Sequence, residues 1–311
     1  METTERGAQR AQELFENLGG SVNDGFPAIH SPVSHTGAGT AYLRRPGLVM
    51  LAKPQVNVAG LAGFLEGFDP ELGFPGYLED PTTLPDSSQL CKTAGQLCYA
   101  SFGPRRTKNE NAGAYFERLT SAGHGSVLEH SNFSFLLYGI SRSVTHELVR
   151  HRAGAGFSQI SQRYVSGSVL RFVERPEYQS DEELHRMFEE RADRAAAEYE
   201  AMAGRLLEHQ EGGNAMLSAD YKTDARKKVQ QTARSLLPNE TEAPMVFTGN
   251  VRALRHIIEM RADAHAESEI RNLAVRLFLC LRTADPILFG DYTFGELPDG
   301  TITVATQFRK A

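Results

Sequence analysis

The stretch Asn132–Tyr164, NFSFLLYGISRSVTHELVRHRAGAGFSQISQRY, decides how the chain is read. Its first residues alternate. Phe133, Phe135 and Leu137 point one way, Asn132 and Ser134 the other. Alternation of period two predicts a half-buried strand, because successive side chains leave opposite faces of a pleated sheet. From Ser141 to His151 the period changes. Val144 and Leu148 stand four apart, which places both on one face of a helix. The helix runs into Ala153–Gly156, AGAG, where small residues predict a loop, and Gln162–Val173 is extended in character.

Outward from this stretch the chain is helix-rich. Helical spacing predicts helices over 89–101 and 109–122, where Ala114, Phe116 and Leu119 share a face. Ser180-x-x-Glu183 reads as a capping box that opens a long charged helix to about Glu211. Tyr221, Ala225, Val229 and Ala233 recur every fourth residue in a helix over 219–237, with Pro238 beyond its end. Further helices are predicted over 249–260 and 264–283. Gly47–Lys53, GLVMLAK, reads as a buried strand, and Pro298-Asp299-Gly300 as a turn between two short β-like runs. Strands and helices do not alternate in the way that builds a doubly wound parallel sheet. Residues 1–46 are rich in Gly and Pro with few apolar clusters and read as a loosely structured extension; 68–87 reads as a long loop. One catalytic domain is expected over 47–311.

Composition narrows the function. The 311 residues carry a net charge of −6, with 23% charged and 41% hydrophobic residues. An acidic chain is a poor general binder of nucleic acid or membrane surface, since phosphates call for a positive field. It leaves room for a local cationic pocket. No apolar run approaches the roughly 20 residues of a membrane span, and the N-terminus lacks a signal-peptide apolar stretch. Three cysteines, Cys91, Cys98 and Cys280, without metal-type spacing, point to a reduced, cytoplasmic setting. Cys98 and Cys280 sit in apolar helical contexts typical of packed thiols.

Three stretches carry the candidate chemistry. Arg150-His151-Arg152 ends the predicted helix, and Ser158, Gln159, Ser161, Gln162 and Arg163 follow the small-residue loop. Glycines let backbone N–H groups approach an oxyanion, serine hydroxyls donate, and Arg163 can bind a phosphate with two parallel hydrogen bonds. The same residues also suit a helix C-terminus whose cations complement its dipole. In Asn250–His265, NVRALRHIIEMRADAH, Arg252, His256, Glu259 and Asp263 form a polar stripe, and Arg261 and His265 a further i, i+4 pair. A solvated helix face gives the same pattern. Gly123-His124-Gly125-Ser126, with Glu129-His130, is a turn leading into the strand.

Familiar chemistries are excluded. In His146-Glu147-Leu148-Val149-Arg150-His151 the two histidines stand one residue too far apart for a zincin. Five helical residues rotate about 140°, which takes the rings off a common face, so no metal site is expected. The chain has no phosphate-binding P-loop, no dinucleotide fingerprint and no G-x-S-x-G elbow.

The stretch Gly123–Val165 closely resembles flavin-dependent thymidylate synthases. Their signature is an RHR triplet followed by seven or eight residues and a serine; here eight residues separate Arg150-His151-Arg152 from Ser161. Downstream, ARSLLPNETE (233–242), FTGNVRALRHIIEMRADAHAESEIR (247–271) and the acidic-tipped tail fit in the same order. The resemblance covers about 85–300. It implies an α+β fold, a sheet flanked by helices, and an enzyme that methylates deoxyuridylate (dUMP) to thymidylate (dTMP). 5,10-Methylenetetrahydrofolate would be the carbon donor, NADPH the reductant and FAD the cofactor, in a homotetramer with shared active sites.

The resemblance also implies site residues. Arg261 is matched to the catalytic role, stabilising negative charge on the pyrimidine in place of a cysteine nucleophile. Glu147, Arg150, Gln159, Ser161, Gln162, Arg163 and Arg234, the last from a neighbouring subunit, are matched to dUMP. Ser101, His124, Ser126, Arg150, His151, Arg152, Gln159, Asn250, Arg252, His256 and His265 are matched to FAD. This chain departs from the pattern in the longer spacing after RHR, in His256 where some members carry Asn, and in its first 46 residues. A flavoprotein acting on another pyrimidine, a nucleotide- or RNA-binding module and a metal hydrolase using His146 and His151 are the rival readings.

Overall fold

A computed structural model describes residues 4–164, 169–212 and 222–308. Helix α1 (Thr4–Asn17) leads into strands β1 (Gly20–Asn23), β2 (Phe26–Ile29), β3 (Val33–His35), β4 (Ala41–Leu43) and β5 (Gly47–Ala52). Helices α2 (Ala62–Glu66), α3 (Asp86–Cys98) and α4 (Ala112–Ser121) precede strand β6 (Asn132–Tyr138) and helix α5 (Arg142–Leu148). Strands β7 (Ala155–Gln159) and β8 (Phe172–Val173) are followed by α6 (Glu182–Glu211), α7 (Lys222–Ala233) and β9 (Met245–Asn250). Helices α8 (Val251–Arg261) and α9 (Ser268–Ala284) and a terminal hairpin, β10 (Thr293–Glu296) and β11 (Ile302–Ala305), complete the chain. Strand and helix are combined without βα alternation, so the α+β class read from the sequence holds.

The main sheet has six strands in the order β1-β2-β5-β6-β9-β7, every neighbour antiparallel. Alternation in β6 plays out as the pattern requires: Phe133, Phe135 and Leu137 are fully buried and the residues between them only partly. Each such side chain contributes about 1.5–3 kcal/mol relative to its exposed state. They pack with α8 and with α9, whose residues from Ile270 to Leu281 are buried on nearly every side. Helix α9 is enclosed on most sides, touching α1, α8, β2 and β5, and buries its charged residues Glu269, Arg271, Arg276 and Arg282 with its apolar ones.

Residues 4–46 differ from the loosely structured extension that their composition suggests. Asn23-Asp24-Gly25-Phe26 closes a two-residue hairpin with positive φ at both Asp24 (49°) and Gly25 (76°). That is the primed turn whose twist matches paired strands. The hairpin extends the main sheet, and Phe15 of α1 and Ile29 of β2 are buried in the common core. The segment 68–87, read as loop, contains short 3₁₀ turns tied by an aromatic cluster of Phe74, Tyr77 and Phe102.

Other details shift. The cap of α6 is Asp181, whose side chain accepts from the N–H groups of Glu183 and Leu184, one residue later than the predicted box. Ala155 and Gly156 belong to β7 instead of a loop, paired to Thr248 and Gly249 of β9. Part of the predicted helix over 219–237, and residues 165–168 of the extended run, lie outside the described residues. Cys91 and Cys280 are buried, but Cys98 is exposed at the end of α3 and is no packed thiol. No described helix is long and apolar enough to cross a membrane.

Candidate active site

The RHR segment lies along α8 from one end to the other. At the N-terminal end Asn250 caps α8, its Oδ1 accepting from Ala253 N at 2.9 Å. Asn250 N donates to Gly154 O at 3.0 Å. Gly154 has φ +69°, and a Cβ there would sit 2.5 Å from Asn250 Nδ2. Only glycine allows this approach. In the middle, the rings of His151 and His256 meet edge to face with centroids 5.5 Å apart. At the C-terminal end Arg261 Nε donates to His151 Nε2 at 3.0 Å, and Nη1 donates to Glu147 Oε2 at 2.7 Å.

These contacts set the protonation of His151. Burial, then Arg261, then His256 lower its pKa to about 4, so the ring is neutral at neutral pH. A neutral imidazole that accepts at Nε2 carries its proton on Nδ1. Arg261 Nη2 has no hydrogen-bond partner among the described residues. One face of the guanidinium is therefore fixed by protein and another donor is left for a ligand.

Around this centre the cations are open to solvent. Arg150, Arg152 and Arg252 are exposed. His146, Val149, Arg150 and Arg152 line an open hollow of about 590 Å³. Arg252 Nη1 pairs with Glu129 Oε1 at 2.5 Å, which ties the Gly125–Glu129 turn, carrying Ser126, to α8. The stripe on α8 is thus held by a partner from another segment and not by its own i, i+4 neighbours. His124 begins that turn and is exposed; its N–H donates to Leu119 O at 3.0 Å. Helix α8 ends at Arg261, so His265 lies in the following turn, exposed, and forms no helical pair with Arg261.

Gln159 closes β7, the edge strand beyond β9, and Ser161, Gln162 and Arg163 follow in a turn. Ser161 Oγ accepts from Arg163 N at 3.3 Å. Gln162 Nε2 is buried with no hydrogen-bond partner among the described residues, and Gln162 lines a cavity of about 440 Å³ together with the ion-paired Arg171 and Glu242. Arg234 sits on the turn after α7, where its charge bears on Arg142 of α5; no contact joins it to Ser161 or Arg163 among the described residues. Ser101, after α3, donates its N–H to Gln96 O and makes no hydrogen bond to the RHR segment among the described residues. Glu129 is the partner that sequence reading did not assign; its place before a strand gave no sign of a pairing across more than 120 residues.

The chain matches the family described as thymidylate synthase complementing protein over residues 80–287. It is 42% identical over 219 residues to the flavin-dependent thymidylate synthase of Mycobacterium bovis, covering 70% of this chain and 84% of that one. The enzyme of the same name from Mycolicibacterium vanbaalenii is 41% identical over 237 residues, 76% of this chain and 92% of that one.

The chain belongs to the flavin-dependent thymidylate synthase family.

A solved UMP/dUMP methylase, PolB from Streptomyces cacaoi, is also similar: TM-score 0.48, 20% identity, 65% of this chain and 88% of that one. Buried Cys91 and Cys280 have thiols pushed up to about 12 by burial, which keeps them protonated and inert.

Proposed function

We propose that the chain converts dUMP to dTMP, with 5,10-methylenetetrahydrofolate as carbon donor and NADPH as reductant of FAD. The observation that carries the reading is the arrangement of Arg261 between Glu147 and His151 at the RHR segment, in a chain of this family.

The residues present fit FAD. A dinucleotide carries two phosphate charges; the exposed Arg150 and Arg152 line an open hollow, the exposed Arg252 stands on α8, and the glycine turn at Gly154 packs against the cap of that helix. Arg150, His151, Arg152, Asn250, Arg252 and His256 would hold it, with Ser126, Gln159, His124, Ser101 and His265 completing the set. Reduced flavin, when bound, supplies a hydride.

The chain's own residues do the rest. Uracil C5 is a weak nucleophile, and making it reactive toward the carbon donor requires negative charge to build up on the ring, at N3 and O2, before the carbon is transferred. Arg261 stabilises that charge through its Nη2 donor, while Glu147 and His151 keep the guanidinium in place. A neutral His151 adds no second positive charge beside Arg261. Ser161, Gln162 and Arg163 grip the nucleotide phosphate with Gln159, joined by Arg234 from a neighbouring subunit of the homotetramer. Arg150 bridges the nucleotide and cofactor sides.

The test is the visible spectrum of purified protein, followed anaerobically as NADPH is added and then dUMP with methylenetetrahydrofolate. Flavin absorbance that bleaches with NADPH and recovers only with both substrates is the expected result. Protein that takes up no FAD overturns the proposal.

A further inference from the structure

Arg261 at the end of α8 and Glu269 at the start of α9 grip the two ends of helix α5. At the far end Arg261 Nη1 donates to Glu147 Oε2 at 2.7 Å. At the near end Ser141 caps α5, its Oγ accepting from Val144 N at 3.3 Å. Glu269 holds that cap with both carboxylate oxygens. Ser141 N donates to Oε1 at 2.8 Å, and Ser141 Oγ donates to Oε2 at 2.8 Å. Only residues 262–268 separate Arg261 from Glu269, and that connection is itself tied. Ala266 N donates to Asp263 O at 3.1 Å, and Arg271 Nη1 donates to Ala266 O at 2.9 Å. Leu148 of α5, Ile257 and Arg261 of α8 and Ile270 of α9 line one void of about 10 Å³, so the three helices meet there with little free space.

Glu269 is 1% exposed and forms no ion pair among the described residues. The neighbouring carboxylate on the same turn, Glu242, accepts from Gly139 N at 2.6 Å but is neutralised by Arg171. Burial raises the Glu269 pKa, and the two Ser141 donors oppose that rise. A buried carboxylate without a cation is unfavourable unless its hydrogen bonds compensate it. Those of the Glu269 side chain, among the described residues, all go to Ser141. Helix α5 has seven residues and a length of about 10 Å. Val144 and Leu148 seat it in the core, so a shift or roll of its first residue is carried to Glu147. A misplacement of about 1 Å at a reacting centre can cost about 100-fold in rate.

We propose that Glu269 is a positioning residue for the reaction: by fixing Ser141 it sets the height and roll of α5, and so places Glu147 where it holds the Arg261 guanidinium in plane for the pyrimidine. The inference rests on the role proposed for Arg261. Glu269 makes no hydrogen bond or ion pair with Arg261, Glu147 or His151 among the described residues, so it acts through α5 alone.

The test uses the full chain with FAD bound and compares the wild type with Glu269→Gln, Glu147→Gln, the double variant and Asp285→Asn. Asp285, at the other end of α9, is the reference: it too is fully buried without an ion pair among the described residues, held by the hydroxyls of Ser87 and Ser88. The single-turnover rate of dTMP formation, the dUMP affinity by calorimetry and the melting midpoint are read for each. Glu269→Gln slows the rate by about 10-fold or more and leaves dUMP affinity within about twofold. In the Glu147→Gln background the same change has an effect of less than about twofold. Asp285→Asn lowers the midpoint and leaves the rate within about twofold. Equal rate losses from Glu269→Gln in the two backgrounds overturn the proposal, as does an Asp285→Asn enzyme slowed to the same degree as Glu269→Gln. If Glu269→Gln fails to fold, Ser141→Ala, which keeps the backbone bond to Glu269, is read in its place. A wild type that makes no dTMP overturns the reading of the reaction and leaves the link through α5 to the midpoints. Sites this far apart add unless they are linked. Losses from Glu269→Gln and Glu147→Gln that fall short of additive support the link, and additive losses overturn it.

Discussion

Arg261, the last residue of α8, donates to Glu147 of α5 at 2.7 Å and to His151 at 3.0 Å, so one guanidinium ties two helix ends together. Both bonds are directional, and together they fix the plane of the fork. A lysine keeps the charge, but its three donors radiate from one nitrogen and do not reproduce the planar fork whose separate nitrogens reach His151 and Glu147 and leave a third for a pyrimidine.

Arg261→Lys and Arg261→Ala are therefore expected to retain flavin and lose turnover. Removing one preorganised donor at a developing charge costs about 10²–10³ in rate. Glu147→Gln keeps one acceptor for Arg261 and is expected to lose less than Glu147→Ala. Flavin absorbance and dTMP formation in single turnover separate binding from chemistry. An Arg261→Ala enzyme with full activity contradicts the role.

The neutral state of His151 has a consequence for stability. Its pKa is lowered from 6.5 to about 4 in the fold, by burial first and then by Arg261 and His256. Between these values the unfolded chain binds the proton more tightly than the folded one. The stability from His151 is thus complete above pH 6.5 and is lost as pH falls through about 4. His151→Gln cannot gain a proton. Its melting midpoint is expected to fall less steeply over that window, by roughly 2–4 °C at the acid end after allowance for solvent screening. Parallel midpoint curves for the two proteins rule this out.

Strand β6, α5 and α8 were legible because each shows an uninterrupted period of 2 or 3.6 over at least two turns or pleats. The RHR segment and Arg261 were legible as residues, but their meeting was not: Glu147 and Arg261 are 114 positions apart. The N-terminal strands were hidden for a different reason. Each is three or four residues long, too short for a period to register, and the segment is punctuated by Pro and Gly. The one strong local signal there was Asp24-Gly25, a hairpin pair that composition alone reads as disorder. Strand β9 was missed because its core face, Met245, Phe247 and Gly249, runs directly into the apolar period of α8.

The N-terminal segment is expected to be required for folding. Deleting residues 1–46 removes β1 and β2 from the sheet, leaves β5 as an open edge and takes Phe15 and Ile29 out of the core. Those two side chains alone contribute about 1.5–3 kcal/mol each, and an apolar edge strand pairs readily with other chains. The truncated chain should be insoluble or melt well below the full one. A point change at the same junction gives a graded version. At Gly47 a Cβ would lie 2.2 Å from Tyr138 Cζ, so Gly47→Ala should destabilise by about 1–3 kcal/mol. Tyr138→Leu in the Gly47→Ala background should restore part of the loss. A truncation that leaves the midpoint unchanged contradicts the structural role.

The cysteines give the last prediction. Cys91 and Cys280 are fully buried, and burial pushes both thiols up to about 12, whereas Cys98 is exposed and its Sγ lies 3.4 Å from Ala94 O. Thiolate is the reactive form. Of the three cysteines, only Cys98 should react with an aromatic disulfide reagent in the native protein, and all should react after denaturation. If a guanidinium at Arg261 replaces a cysteine nucleophile, Cys98→Ser should form dTMP at the wild-type rate within about twofold, since the substitution touches neither core nor site. The same variant should show no fast-reacting thiol. A Cys98→Ser enzyme that binds flavin normally but makes no dTMP would return a cysteine to the mechanism and remove Arg261 from its place there.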